Sequence, residues 1–431
     1  MHNCQRVKFI LIDYSSLPKR AYLTIDMRSF YASASAVMMG LDPMKCYLAV
    51  VGNTERSGSV VLAASPALKR KYGIGTGSRL YEIPEDPEIY IVNPQMKMFI
   101  RLSANITRLF YQYAAPEDIL TFSIDESLVR VDHLKKLWGS PLEIAKKIQA
   151  AIYRDFGVPS AVGIGPNMLM SKLALDLEAK KSPSGIAEWT YKDVKTKLWP
   201  IRPLSQMWGI GRRMEHNLNR MGISTVGQLA NYPLERLEKR FGIMGSQIYY
   251  HAHGVDMSKI EEPMRSGQIT FGKSQILLRD YDNPEEVRMV ILEMCEEVAR
   301  RARKAKKAGR TISLGIGYSK TETGGGFHRS VSLDQPTNVT MEIFKACLKL
   351  FRRFYRDQTV RSISVSLSNI IEDNQLQLNL FEQDSAKKRE LGYVMDSIRQ
   401  KYGSGAILRA VSYTEAGTAV QRNKLVGGHQ A

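Results

Sequence analysis

The chain has 431 residues, with 61 Lys and Arg against 43 Asp and Glu, a net charge of +18 at pH 7. That length exceeds one hydrophobic core and predicts about three domains of roughly 100–200 residues each. Hydrophobic (44%) and charged (24%) fractions are those of a soluble globular protein, and the excess of positive charge points to a polyanion, nucleic acid foremost. Four cysteines (Cys4, Cys46, Cys295 and Cys347) without a CxxC spacing argue against a disulfide framework or a zinc site. The apolar run at residues 9–12 is ended by Asp13, too short for a secretory signal, and no stretch is long enough to span a bilayer. A cytoplasmic protein without membrane partners is expected.

After a lead-in of residues 1–20, residues 21–26 (AYLTID) read as a buried strand and residues 30–39, rich in Ala, Ser and Met, as a packed helix. Residues 46–51 and 60–64 are apolar and largely β-branched, hence strands. Helical periodicity covers 95–113, two short strands joined by a tight turn cover 120–131 (LTFSIDESLVRV), and a helix, a strand and a helix follow at 141–156, 160–164 and 168–181. Strands layered with helices to residue 181 give an α/β or α+β sheet. Residues 182–255 lose the strand pattern and read as an all-helical module punctuated by glycine. Residues 265–371 return to an α+β pattern in the order βαββαβ, with a helix over 283–307 that the pattern carries up to Gly309. A polar tail, 372–431, holds one more helix at 389–402. The fold class is α+β, multidomain.

Three carboxylates carry the chemistry. Asp26 ends the first strand, and Asp125 and Glu126 sit together in the turn after Phe122-Ser123. A carboxylate at a strand end is costly to bury without a cation. Acids from two regions at one sheet edge make an oxygen-rich pocket suited to Mg²⁺ and phosphate; two such ions about 3.5–4 Å apart serve phosphoryl transfer. Each acid taken singly also fits a helix cap or turn.

DMRSFYAS (26–33) and SIDES (123–127) resemble the two acidic motifs of the Y-family translesion DNA polymerases, the UmuC/DinB superfamily. The lead-in IDYSSLPKR (12–20) is similar to the UvrX-type UV-damage repair proteins of Gram-positive bacteria. The resemblance implies a palm with a ferredoxin-like βαββαβ sheet at 21–181, with small fingers inserted at about 45–95. It implies a thumb with a helix-hairpin-helix at 182–255, a little finger at 265–371 and a tail at 372–431. It makes Asp26, Asp125 and Glu126 the ligands of two Mg²⁺ ions, for which Mn²⁺ can substitute, with the backbone carbonyl of Met27 helping to hold the second. Tyr31 falls at the steric gate against a ribonucleotide 2′-OH. Arg70, in LKRKYG (68–73), matches an arginine that grips the triphosphate, although Ala67 stands where relatives often have Tyr. Val61 and Ala63 form a low roof over the nascent base pair. SKLALDLEAKKSPSGI (171–186) matches the segment that delivers a phosphate-binding lysine; its spacing is longer than in relatives, Lys180 and Lys181 compete, and Lys180 is favoured.

Gly209-Ile210-Gly211 lies between two helical stretches. Such a glycine hairpin offers backbone N–H groups and a helix N-terminus to a DNA phosphate, with Gly209, Gly211, Arg212 and Arg213 as the contacts. RRARKAKKAGR (300–310) carries seven basic side chains in eleven residues, and Arg300, Arg301, Arg303 and Lys304 are expected on DNA; a solvated basic helix face is the other reading. QLNLF, with Gln377, Leu378, Leu380 and Phe381 as anchors, sits in a polar stretch and resembles the bacterial sliding-clamp-binding peptide, an extended mode of recognition. The implied activity is low-fidelity, DNA-directed DNA polymerisation in damage tolerance of the SOS type. Its partners would be primer-template DNA, deoxynucleoside triphosphates and the sliding clamp, with a recombinase filament or UmuD-like accessory protein also in view. A metal-dependent nuclease also clusters carboxylates, but Tyr31 and Arg70 argue against it.

Overall fold

The computed structural model describes residues 12–262, 269–320, 325–373 and 385–430. The chain divides into two units, the first of residues 1–263 with 429–431 and the second of residues 264–428. In the first, the run YLTIDM forms β1 (Tyr22–Met27), buried at every position except Asp26. Near-continuous apolar character is what a strand covered on both faces requires. It turns through Ser29, whose positive φ of 50° starts α1 (Phe30–Met38). An inserted three-stranded sheet follows: β2 (Tyr47–Val51), β3 (Val61–Ala64) and, after α2 (Pro66–Tyr72), β4 (Ile89–Val92), in the order β3-β2-β4. The chain then returns through α3 (Met96–Phe110), β5 (Ile119–Thr121), β6 (Glu126–Arg130) and the one-turn α4 (Lys135–Trp138) to α5 (Pro141–Phe156).

Helix α5 shows why the local sequence is enough to start and stop it. Ser140 and Glu143 form a reciprocal capping box, Pro141 occupies the first turn, and Gly157 closes the helix with φ of +67°. β7 (Ser160–Gly165) then pairs antiparallel with β1 on the side opposite β6, and α6 (Met168–Ala174) runs into a π-helical turn, Leu175–Ala179, before β8 (Ile186–Glu188). The sheet order is β5-β6-β1-β7-β8. α6 lies so close on β7 that a Cβ at Gly163 or Gly165 would collide with the backbone around Ser171 and Leu175. Thr24 and Ser171 meet across this packing through buried hydroxyls 2.7 Å apart.

The helical module contains α7 (Arg212–Asn219), α8 (Val226–Ala230), α9 (Leu234–Phe241) and α10 (Ile243–Ala252). Its core is continuous with α6: Leu169 and Leu173 pack in one buried cluster with Trp189, Leu198, Leu218, Leu229 and Ile248. The expected all-helical stretch from residue 182 is corrected at its start, because β8 (Ile186–Glu188) still pairs with β7; the helices follow it with no break in packing.

The second unit has the order β9 (Phe271–Tyr281), α11 (Pro284–Lys304), β10 (Lys307–Tyr318), β11 (Gly326–Thr337), α12 (Thr340–Phe354) and β12 (Val360–Glu372), the βαββαβ succession read from the pattern. The strands form one antiparallel sheet ordered β11-β10-β12-β9. Along β12, Ile363, Val365 and Leu367 are buried while Ser364, Ser366 and Ser368 alternate with them. α11 stops at Lys304, five residues before Gly309, because β10 already begins at Lys307. The tail is not separate from this unit. α13 (Ser385–Tyr402) and the residues after it supply arginines to acids buried on α11: Arg399 and Arg409 reach Glu296, and Arg422 lies 3.2 Å from Glu293. Buried carboxylates need such partners. Among the described residues no helix is long and apolar enough to cross a membrane.

Candidate active site

The register of β1 against its neighbours sets the acids. Asp26 stands directly opposite Glu126 on β6, and the N–H of Met27 donates to the carbonyl of Asp125 at 2.9 Å. Asp125 lies one residue before β6, in the turn closed by Phe122 and Ser123 N–H groups donating to the Glu126 carbonyl. The Ser123 hydroxyl donates to its carboxylate at 2.6 Å. Thus Asp26, Asp125 and Glu126 stand next to one another in the backbone, at the neighbouring ends of β1 and β6.

Two lysines hold these acids. Lys180 Nζ lies 3.0 Å from Asp26 and 2.9 Å from Asp176. Lys172 Nζ lies 2.6 Å from Glu126 and 3.1 Å from Asp176. Burial pushes the carboxyls of both Asp26 and Glu126 above their ordinary values, and the neighbouring ammonium offsets that only in part. Burial also opposes the charge on Lys180, yet Asp26 and Asp176 outweigh it and hold the ammonium above the usual lysine range. The longer spacing in 171–186 is resolved by the π turn: the N–H of Lys180 bonds the carbonyl of Leu175, five residues back, at 3.0 Å. One additional residue is absorbed there, and Lys180, not Lys181, meets Asp26. Lys172 and Asp176 were missed by sequence reasoning. Their signal was the Lys-x₃-Asp-x₃-Lys spacing, which puts all three on adjacent turns.

Asp26 and Asp125 line a cavity of about 950 Å³ together with Tyr31, Leu62, Ala63, Lys69, Arg70 and Lys180. Tyr31, on the first turn of α1, is stacked on Phe99 of α3 with ring centroids 4.5 Å apart, so its ring is held from behind. Nothing in the sequence pattern singled out Phe99. Arg70 is exposed near the end of α2, its nearest bond a 3.4 Å contact to the Met44 carbonyl. Val61 does not line the cavity. It is fully buried with Ala49, Ala64 and Leu68 in the core of the inserted sheet, and Leu62 takes the wall position beside Ala63. Lys69, unremarked in the sequence, reaches Ser29 at 2.8 Å from the same wall.

Oxygen donors from two aspartates and a glutamate are the ligand chemistry of Mg²⁺, and their partial burial gives them reason to seek a cation. Among the described residues no three metal-type side chains already converge on one point; lysines hold two of the acids instead. Asp176 contacts both lysines and so keeps an acid beside each when the carboxylates take another cation. The set fits the metal on these grounds.

In the helical module Gly209 has φ of +93°, and Gly211 caps α7 with Arg212 and Arg213 exposed in the first turn. No side chain could take Gly209's conformation without strain. The basic run at the end of α11 is a different matter. Arg303 is buried, its guanidinium 2.7 Å from Asp396 and donating to the Asn338 carbonyl at 2.8 Å, so it has no face left for a phosphate. Arg300 and Arg301 are paired with Glu297 at 2.9 and 2.8 Å; Lys304 is exposed. Residues 377–381 lie outside the described residues.

The chain matches the impB/mucB/samB family over residues 25–176 and the C-terminal domain of that family over 268–380. Residues 205–256 match the thumb domain of DNA polymerase-iota. A putative UV-damage repair protein, UvrX, of Bacillus subtilis (strain 168) is 65% identical over 98% of this chain and 100% of its own length. DNA polymerase IV 2 of the same organism is 42% identical over 96% of this chain and 99% of its own. A solved Y-family DNA polymerase chimera shares the fold, with a TM-score of 0.64 and 20% identity over 82% of this chain and 99% of that one. The chain belongs to the Y-family DNA polymerases and is a DNA-directed DNA polymerase.

The raised carboxyl of Asp26 makes a test of the site's electrostatics. A proton held more tightly in the folded state stabilises it below the ordinary aspartate range, and that contribution is lost as pH rises through the raised value. At pH 8, without metal, Asp26→Asn should therefore raise the thermal midpoint of the first unit by about 2 °C. At about pH 3 the carboxyl is protonated in both states and the gain should vanish. A lower midpoint at pH 8 would mean that the Lys180 pair outweighs burial.

Proposed function

We propose that this polymerase performs low-fidelity translesion synthesis by two-metal nucleotidyl transfer, in DNA repair and SOS-type damage tolerance. The observation that carries the reading is the single cavity in which Asp26 and Asp125 face Tyr31, Arg70 and Lys180. Asp26, Asp125 and Glu126 would hold two Mg²⁺, or Mn²⁺ in their place, with the carbonyl of Met27. When bound, these ions lower the pKa of the primer 3′-OH and offset charge on the departing pyrophosphate. The 3′-oxygen bonds to the α-phosphorus of a deoxynucleoside triphosphate as the bond to the bridging oxygen breaks, releasing pyrophosphate. Lys180 and Arg70 bind the triphosphate and neutralise charge growing on its leaving part. Leu62 and Ala63 cover the nascent base pair with small apolar surface, which tolerates a distorted template base.

DNA binding rests on the Gly209–Gly211 hairpin with Arg212 and Arg213, and in the second unit on Lys304 and the outer faces of Arg300 and Arg301. Gln377, Leu378, Leu380 and Phe381 recruit the sliding clamp. A recombinase filament or a UmuD-like protein is a further partner consistent with this reading. Primer extension on damaged and undamaged templates, with and without clamp, tests it as a whole: bypass enhanced by clamp supports it, and extension that stops at every lesion overturns it.

Sugar selection isolates Tyr31. Tyr31→Ala removes the ring that would meet a 2′-OH, and exclusion is how such a site discriminates. The ratio of kcat/KM for ribo- over deoxynucleotide should rise by about 100-fold or more, the equivalent of about 2.7 kcal/mol. An unchanged ratio makes Tyr31 a packing partner of Phe99 only.

Recruitment isolates the tail. Burying Leu380 and Phe381 in a partner's pocket contributes on the order of 1.5–3 kcal/mol each, before the cost of ordering the segment. Leu380→Ala with Phe381→Ala should weaken clamp binding at least about tenfold in calorimetry while clamp-free extension stays intact. Loss of clamp-free activity as well would place both residues in the folded core.

A further inference from the structure

Arg28 lies two residues after Asp26 and takes no part in the reaction described above. Its N–H donates to the Pro159 carbonyl at 2.8 Å, which ties the turn after β1 to the start of β7. Its guanidinium reaches across to the far end of α6: Nη2 donates at 3.2 Å to the carbonyl of Ala179 and at 3.2 Å to that of Ser182. These carbonyls flank Lys180, the first immediately before it and the second two residues after. They belong to the stretch where the π turn ends; each also accepts a backbone bond, from the N–H of Ser182 at 3.2 Å and of Gly185 at 3.1 Å, and the guanidinium takes the second lone pair of each oxygen. Gln149 holds the next step of the same segment, its Nε2 donating to the carbonyls of Ser160 at 3.0 Å and Ser184 at 3.2 Å. Gly185 follows with φ of +70°, and a Cβ there would stand 2.8 Å from Gln149 Nε2 and 3.1 Å from Arg28 Nη2.

We propose that Arg28 is the positioning residue that fixes Lys180 at the reaction centre, by clamping the backbone on both sides of it. The inference rests on the role given to Lys180 in the preceding section. Lys180 and Lys181 are neighbours, and a slip of one residue in this segment would exchange them. The backbone bonds within residues 179–185 are local to the segment, and Arg28 ties it to the turn just after β1, the strand that carries Asp26, so the acid and the lysine that meets it are referred to one another through a single side chain. Both bonds leave from one nitrogen of the planar guanidinium; a lysine ammonium at position 28 has the donors but sits on a flexible stem and holds the two carbonyls less firmly.

The test uses the full-length protein with Arg28→Gln, Arg28→Lys, Lys180→Ala and the double variant Arg28→Gln with Lys180→Ala. Amide hydrogen exchange over residues 179–185 reads the clamp directly: Arg28→Gln should speed exchange there about tenfold or more while the rest of β1 and β7 keeps its protection. In primer extension Arg28→Gln should lower kcat/KM for the incoming nucleotide about tenfold, and Arg28→Lys should recover part of it. In the Lys180→Ala background the same Arg28→Gln change should cost less than about twofold, because a residue acting through Lys180 has nothing left to position. Unchanged exchange over 179–185 overturns the clamp whatever the kinetics show, and so does an equal loss in both backgrounds, which marks a general structural role. If Lys180→Ala leaves kcat/KM intact, the role given to Lys180 fails, while the exchange result still decides the clamp. Arg28→Lys preserves the charge and keeps the exchange test available should Arg28→Gln fail to fold.

Discussion

The pairing of β1 with β6 places Asp26 opposite Glu126, and the rest of the site depends on that register. A slip of one residue would turn Asp26 to the other face of the sheet and separate it from the hairpin acids. The register is held from both sides, because β1 is the central strand and pairs with β7 as well as β6. The bond from Met27 N–H to the Asp125 carbonyl extends the pairing one step beyond the strand. The apolar residues around it, Leu23 and Ile25 among them, are fully buried, so Asp26 sits near the end of a strand paired on both sides and covered on both faces. Such pairing would suit the proposed role, since carboxylates that take cations work best in a preformed arrangement.

Holding three carboxylates together is unfavourable, and the structure answers the cost with cations. Lys172 bridges Glu126 to Asp176 and Lys180 bridges Asp26 to Asp176. The net effect still leaves Asp26 and Glu126 harder to ionise than free carboxyls, which leaves them favourable targets for a more highly charged ion. The same economy appears in the second unit, where Glu293 and Glu296 on α11 are satisfied by arginines from the residues after β12. There the charges close a structural contact instead of preparing a site.

The sheet strands, the βαββαβ order of the second unit and the placement of the three acids at neighbouring strand ends were legible because they rest on periodicity and on short, specific motifs. Other features depended on contacts that a linear pattern does not carry. Val61 and Leu62 are both apolar, and only the packing of the inserted sheet decides which one faces the cavity. Arg303 belongs to the basic run by composition alone, and only the packing of α13, which brings Asp396 onto that face of α11, shows that it is buried. The tail read as polar and separate because its partners, Glu293 and Glu296, lie on another element. They stand among apolar residues of α11, and that spacing was a usable sign of buried acids awaiting partners. The longer spacing before Lys180 was visible, but its resolution by a π turn was not.

The proposed mechanism requires Asp125 and Glu126 to act at the reaction and not in DNA binding or folding. The direct measurement is single-nucleotide primer extension beside a gel-shift for the Asp125→Ala, Glu126→Ala double variant. Phosphate contacts made by Lys and Arg dominate DNA affinity, so binding should persist within about threefold while nucleotide addition falls by about 10³ or more. Extension near the wild-type rate would contradict the assignment of the sheet edge as the catalytic centre.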